Sequence, residues 1–221
     1  MRQIAPKVAI GQMNKNFERW GMPRKIKIDN GRPFINMRHR DTPTLAILWW
    51  IGLGIEVIQN NPASPQENGA VENLQATLAR WSHPKTHTRI EDFQKALDEA
   101  GRIQREVYMV SARGYKSRIS LFPELKTNTR VFSYECFDFQ RVEQYLSERV
   151  WRRKIRHNGR IRFMSKEFHM GRPYAGKEVS ISFDPIEKLW LIHDADGTLL
   201  NQSKREIVSQ REILDFARLD Q

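Results

Sequence analysis

Residues 45–55 read Leu-Ala-Ile-Leu-Trp-Trp-Ile-Gly-Leu-Gly-Ile, the longest apolar run in the chain. A run of this kind must be covered on every side, so it demands a core around it. It falls well short of the roughly 20 residues that span a bilayer, and Gly52 and Gly54 interrupt it. It therefore reads as a buried helix feeding a strand that begins near Ile55. Upstream, residues 8–20 form a helix closed by Gly21 and Pro23. Lys25-Ile26-Lys27-Ile28 then alternates basic and apolar residues as a short strand does, which leaves Asp29 at its carboxyl end. In α/β sheets, ligands are met at that end.

A second acid, Glu72, stands near the start of a helix running towards Trp81. Ser64-Pro65-Gln66-Glu67 has capping-box spacing with Pro at the first helical position. A later start with Asn68 as cap puts Glu72 in the first full turn, and both starts keep it on the helix. Each acid also has a plain structural reading. Asp29-Asn30-Gly31 is a good turn sequence, because Asn and Gly tolerate positive φ, and Glu72 alone suits a solvated helix face.

The order and context of the two acids resemble the retroviral-integrase-like DDE transposases, in a strand-end Asp-Asn-Gly followed by Gly69-Ala70-Val71-Glu72. Pro33-Phe34, the Gly52-Leu53-Gly54-Ile55 entry and Asn61-Pro62-Ala63-Ser64-Pro65 extend the likeness over most of residues 20–80. The resemblance implies an RNase H-like core in which Asp29 and Glu72 are catalytic and hold metal, Mg²⁺ or Mn²⁺. Two-metal sites of this type, with ions roughly 3.5–4 Å apart, clamp the attacking and leaving oxygens of a phosphoryl displacement. It also implies a third acid on a strand upstream of the first helix. Only Glu18 precedes Asp29 in this sequence, so the expectation is a truncated core carrying two acids of three. On the helix after Glu72, the resemblance makes Gln75 and Arg80 DNA-facing, while Asn73 stands where many relatives place Arg.

The formal charge of +11 and a pI near 10.0 point to a polyanionic partner. Much of the excess lies in residues 149–166, where Arg149, Arg152, Arg153, Lys154, Arg156, Arg160, Arg162 and Lys166 occur without an acid. Asn158-Gly159 is a two-residue hairpin signal between strands that carry Trp151, Ile155, Ile161 and Phe163. Period-two spacing puts Arg152, Lys154 and Arg156 on one face, and Arg160 and Arg162 on one face of the returning strand. The expected result is a basic ribbon whose candidate DNA contacts are Arg152, Arg153, Lys154, Arg156, Arg160 and Arg162; the alternative is the solvated outer face of a small barrel. Phosphate contacts would give salt-dependent affinity rather than sequence choice.

Further short strands are expected over residues 178–183, 189–193 and 198–201, separated by Asp184-Pro185 and by Asp194-Ala195-Asp196-Gly197. Asn158-Gly159-Arg160-Ile161, Tyr174-Ala175-Gly176-Lys177, Phe183-Asp184-Pro185 and Asp196-Gly197, in that order, resemble the carboxy-terminal SH3-like barrel of Mu-type transposases. The expected class is thus α/β plus β: a partial RNase H-like domain over 1–110, a linker with a short helix over 111–148, a barrel over 149–205 and a helical tail over 206–221. Within 1–110, Thr88-Arg89-Ile90-Glu91 has capping-box spacing, and Ile90, Phe93, Leu97, Ala100, Ile103 and Val107 recur as the core stripe of a long helix. Ser120-Leu121-Phe122-Pro123-Glu124-Leu125 is like a segment that precedes the barrel in the family.

His83 and His87 are spaced like one half of a zinc site, yet the single cysteine, Cys136, has no paired partner, so both read as surface or linker residues. One cysteine excludes an intramolecular disulfide and suits a reducing, cytoplasmic setting. No signal-peptide pattern, nucleotide-binding glycine loop or serine triad is present. The functional expectation is a transposase or integrase-like protein acting on double-stranded DNA, with a homo-multimer on DNA and no membrane or nucleotide cofactor. Its competitors are a non-catalytic DNA-binding remnant or regulator of transposition, and an RNase H-like nuclease.

Overall fold

The computed structural model describes residues 5–31, 34–36, 39–61, 65–204 and 206–218. Expectations that rest on Pro33, on 62–64 (including the Ser64 cap) and on Leu219 lie outside these residues. The protein mixes helices with parallel and antiparallel strands. Its contacts define two compact units: one comprises Met1–Glu18, Pro23–Gln59 and Phe132–Gln221, the other Arg19–Met22 and Asn60–Val131. This division cuts across the four expected segments, because the amino-terminal elements and the late strands share one unit.

The apolar run explains why. Helix α1 (Pro6–Trp20), strand β1 (Lys25–Ile28), helix α2 (Leu45–Gly52) and strand β2 (Glu56–Gln59) follow the expected order, with β1 parallel to β2. The side chain of Thr44 caps α2 by accepting from the Ile47 amide. In α2, Ala46, Ile47, Leu48, Trp49 and Trp50 are all buried, so one neighbouring face cannot cover it. Cover comes from late in the chain, where the helices later labelled α6 (Phe139–Ser147) and α7 (Gln210–Ala217) both pack on α2. Phe137 stacks on Trp49 with ring centroids 5.2 Å apart, and Phe132 and Tyr134 pack on the same indole. Gly52 is required at that contact, since a Cβ there would lie 2.1 Å from the Phe137 ring. The Gly52 carbonyl accepts from the Asp138 amide and the Arg141 guanidinium, each at 3.0 Å, which satisfies the carboxyl end of α2.

A buried amide joins three helices of this unit. Asn14 of α1 accepts from the Trp49 indole at 3.1 Å and donates to the Ala217 carbonyl of α7 at 3.0 Å. Both groups would otherwise be buried polar orphans.

In the second unit, helix α3 (Gly69–Ser82) follows a 3₁₀ turn over Pro65–Asn68 and pairs with α4 (Ile90–Arg102). The side chain of Thr88 does not form the expected capping box: the cap position is Arg89, which makes no side-chain capping bond and reaches Glu91 instead. The expected core stripe of α4 is buried only in part. Ala100 is buried, but Ile90 is 76% and Val107 52% exposed; α3 packs alongside the helix, which gives way to a π-helical turn over Ile103–Val107. A short helix, α5 (Arg118–Leu121), lies in the segment expected to be a linker.

The late strands of the first unit are β3 (Trp151–Lys154), β4 (Arg160–Phe163), β5 (Lys166–His169), β6 (Glu178–Asp184), β7 (Leu189–His193) and β8 (Leu199–Ser203). They form an antiparallel four-stranded sheet in the order β3-β6-β7-β8 and a separate hairpin, β4-β5. Among the described residues these ladders do not close into a barrel. Trp151, Phe163, Phe183 and Trp190 pack between them, with centroids 5.0 to 6.0 Å apart.

Asn158-Gly159 makes a tight turn, in which the Gly159 amide donates to the Arg156 carbonyl, but the strands it joins do not pair as one ladder. Gly159 has φ of +74°, and a Cβ would meet the Gly171 carbonyl carbon at 2.5 Å. The close backbone approach of 170–171 fixes this turn, with the Met170 amide donating to the Gly159 carbonyl at 2.8 Å. The true two-residue hairpin connection is Met164-Ser165, between Phe163 and Lys166. Both residues have positive φ, as a type I′ turn requires, and neither is of the preferred kind. Met164→Asn combined with Ser165→Gly is expected to raise stability by about 1 kcal/mol. An unchanged urea midpoint would show that the turn carries no such strain.

Candidate nucleic-acid interface and acid pair

Burial alternates along β3 and β4 as expected. Trp151, Ile155, Ile161 and Phe163 point inward, and Arg152, Lys154, Arg156, Arg160 and Arg162 are exposed. They do not line a single two-stranded ribbon, because β3 pairs with β6 and β4 with β5. Arg152 and Lys154 therefore belong to the four-stranded sheet, Arg160 and Arg162 to the hairpin, with Arg156 at the turn between.

Arg153 is placed differently from the other five candidate contacts. It lies on the inward face of β3 with 9% of its surface exposed. Its guanidinium forms a fork with Asp41, at 2.7 and 3.1 Å, and donates to the Thr42 hydroxyl. The Trp151 indole donates to the Asp41 carbonyl beside it at 2.9 Å. A buried guanidinium needs such partners, so Arg153 ties the segment before α2 to β3, while the other four arginines and the lysine of the set are exposed. Arg149 is also occupied: it lies over the Tyr145 ring and donates to the Tyr145 carbonyl at 3.0 Å. Burial pushes the Tyr145 phenol up, with Arg149 acting in the opposite direction.

A residue missed by the sequence reading completes the cluster. Glu167 of β5 faces Arg162 across the ladder, and its carboxylate lies 3.2 Å from Arg160 and 3.8 Å from Arg156. The signal was present in the alternation of Lys166-Glu167-Phe168-His169, where Phe168 is buried and Glu167 exposed. Two guanidinium groups thus share one carboxylate, with Arg162 opposite it on the ladder, leaving a local excess of positive charge.

Asp29 follows β1 directly, as expected, in the first unit. Its Oδ1 accepts from the Gly31 amide at 3.1 Å, a side-chain turn formed without positive φ at Asn30 or Gly31, and the carboxylate stays exposed. Glu72 lies in the first turn of α3, in the second unit, and is exposed. Asn68 occupies the cap position, but its side chain accepts from Asn60 rather than from the helix. Gln75 and Arg80 of α3 are exposed, and Trp81 packs on Tyr108. As donors, both acids offer the hard oxygens that Mg²⁺ takes, and both are open to solvent. Among the described residues, no group of three or more His, Cys, Asp and Glu side chains is arranged to hold a metal ion. His83 caps α3 in the left-handed conformation, and His87 is hydrogen-bonded to the Ser82 carbonyl at 2.8 Å.

Among the described residues, no helix is long and apolar enough to cross a membrane. No family model matches the chain.

Proposed function

We propose that this chain belongs to a DNA strand transferase of the DDE transposase type, which binds duplex DNA through exposed arginines and cuts or joins it with metal-dependent chemistry. The observation that carries the reading is the position of Asp29, a solvent-open carboxylate at the carboxyl end of a strand paired in parallel with β2. In this reading β1, α2, β2 and α3 belong to an RNase H-like core, and β3 to β8 to an SH3-like module.

Asp29 and Glu72 would each be a ligand of Mg²⁺ or Mn²⁺, as the resemblance implies. The ion, when bound, supplies Lewis-acid stabilisation of the charge that develops on the phosphodiester. The chain's own share is to present two carboxylates and to hold the duplex by its phosphates. Water and then a 3′-hydroxyl would be the successive nucleophiles. The exposed Arg156, Arg160 and Arg162 favour a second reading, a DNA-binding protein without catalysis, because that cluster needs neither acid.

The test is cleavage and joining of end-bearing duplex, with Mg²⁺ or Mn²⁺, by the protein as its gene encodes it. Asp29→Asn and Glu72→Gln are each expected to lower both products by about tenfold or more and to leave DNA affinity unchanged. Full activity in either variant would remove that acid from the site. Cleavage without joining would favour an RNase H-like nuclease, and binding with neither product the non-catalytic reading.

A further inference from the structure

We propose that Glu167 is a resident counter-ion of a phosphodiester site, holding the fork between Arg156 and Arg160 until a DNA backbone phosphate displaces it. The proposal rests on the nucleic-acid reading above and adds a determinant to it. Its basis is local and geometric. The two carboxylate oxygens of Glu167 address different arginines, Oε1 towards Arg156 at 3.8 Å and Oε2 towards Arg160 at 3.2 Å, and Arg162 stands opposite on the ladder. A carboxylate bridging two guanidinium groups has the charge and the acceptor pattern of a phosphate. Arg162 has no ion pair among the described residues, so a group entering there meets one uncommitted guanidinium and two committed ones.

Magnitudes decide which anion wins. The side chains of Arg156, Arg160 and Glu167 are each about half exposed, at 45%, 50% and 45%. Ion pairs this open are weak and screened by salt. A duplex backbone instead offers several phosphates at once and gains by releasing its condensed counter-ions. Glu167 is therefore displaceable, and its charge tunes how tightly and with what salt dependence the cluster binds. A glutamine at 167 keeps the size of the side chain and removes the competitor.

The experiment measures anisotropy of a labelled duplex of arbitrary sequence across a series of salt concentrations. Glu167→Gln is expected to bind roughly three- to tenfold more tightly at low salt. Its log–log salt slope should steepen, because the parent must break two salt-weakened ion pairs on binding and the variant none. Glu178→Gln is the control. It removes the same charge from the same unit, opposite Lys154 on β6 and without an ion pair to Arg156 or Arg160 among the described residues, and should tighten binding less than twofold with no change in slope. Equal gains in the two variants would reduce the effect to net charge and overturn the proposal, as would an unchanged slope in Glu167→Gln. Arg152→Glu combined with Arg156→Glu separates the two levels. If this reversal weakens binding while Glu167→Gln changes nothing, the counter-ion proposal falls alone. If the reversal also changes nothing, the DNA reading falls with it.

Discussion

Trp49→Ala is expected to lower the unfolding free energy by about 4 kcal/mol, within the range for emptying a buried aromatic site. The indole is fully buried, and three other aromatic rings pack on it. Those rings come from residues 132–137, so the substitution removes contacts between distant parts of the chain as well as volume. It also strands the Asn14 carbonyl oxygen, which accepts from the indole and would keep no donor in a dry cavity. Urea unfolding followed by near-ultraviolet dichroism measures the loss. Trp20→Ala is the comparison, since Trp20 is 43% exposed beneath the guanidinium groups of Arg19 and Arg105. That change should cost about 1 kcal/mol or less. Equal losses in the two variants would contradict the placement of Trp49 at the centre of the first unit.

The second large effect separates two ways of breaking the Arg153–Asp41 fork. Asp41→Ala leaves a buried guanidinium short of its counter-charge, and is expected to cost about 3 kcal/mol. Arg153→Met removes the charge itself and keeps an unbranched apolar chain on the inner face of β3. The Asp41 side chain left behind is about half exposed and regains water, so this variant should lose only about 1 kcal/mol. Arg153→Met should also leave DNA affinity within twofold of the parent at every salt concentration. A stable Arg153→Met protein with a clear loss of affinity would return Arg153 to the DNA-contacting set.

These cases show what the sequence made legible. The bounds of β1 and the burial of α2 followed from local rules, alternation in Lys25-Ile26-Lys27-Ile28 and an unbroken apolar run in residues 45–51. Partners were harder to read. Asn158-Gly159 announced a turn, yet the ladder partner of β3 is β6, chosen by the shared core of Trp151, Val179 and Ile181 rather than by the turn. The inward position of Arg153 followed from period two, but its partner is Asp41, 112 residues earlier. No local pattern names such a partner, so the arginine was grouped with its exposed neighbours. The stripe on α4 failed in the opposite way: its spacing was correct, but spacing does not state how many elements will cover a helix.

The bond from Asn14 to the Ala217 carbonyl spans 203 positions, and that distance bears on how the protein is made. A ribosome adding 5–20 residues per second needs roughly 10–30 s to travel from the end of α2 to the end of α7. Through that interval two adjacent tryptophans and their aliphatic neighbours lack their final cover, while α3 and α4 emerge between them and the helices they await. Chaperone occupancy during translation should therefore peak after residue 52 and fall only when α7 leaves the exit tunnel.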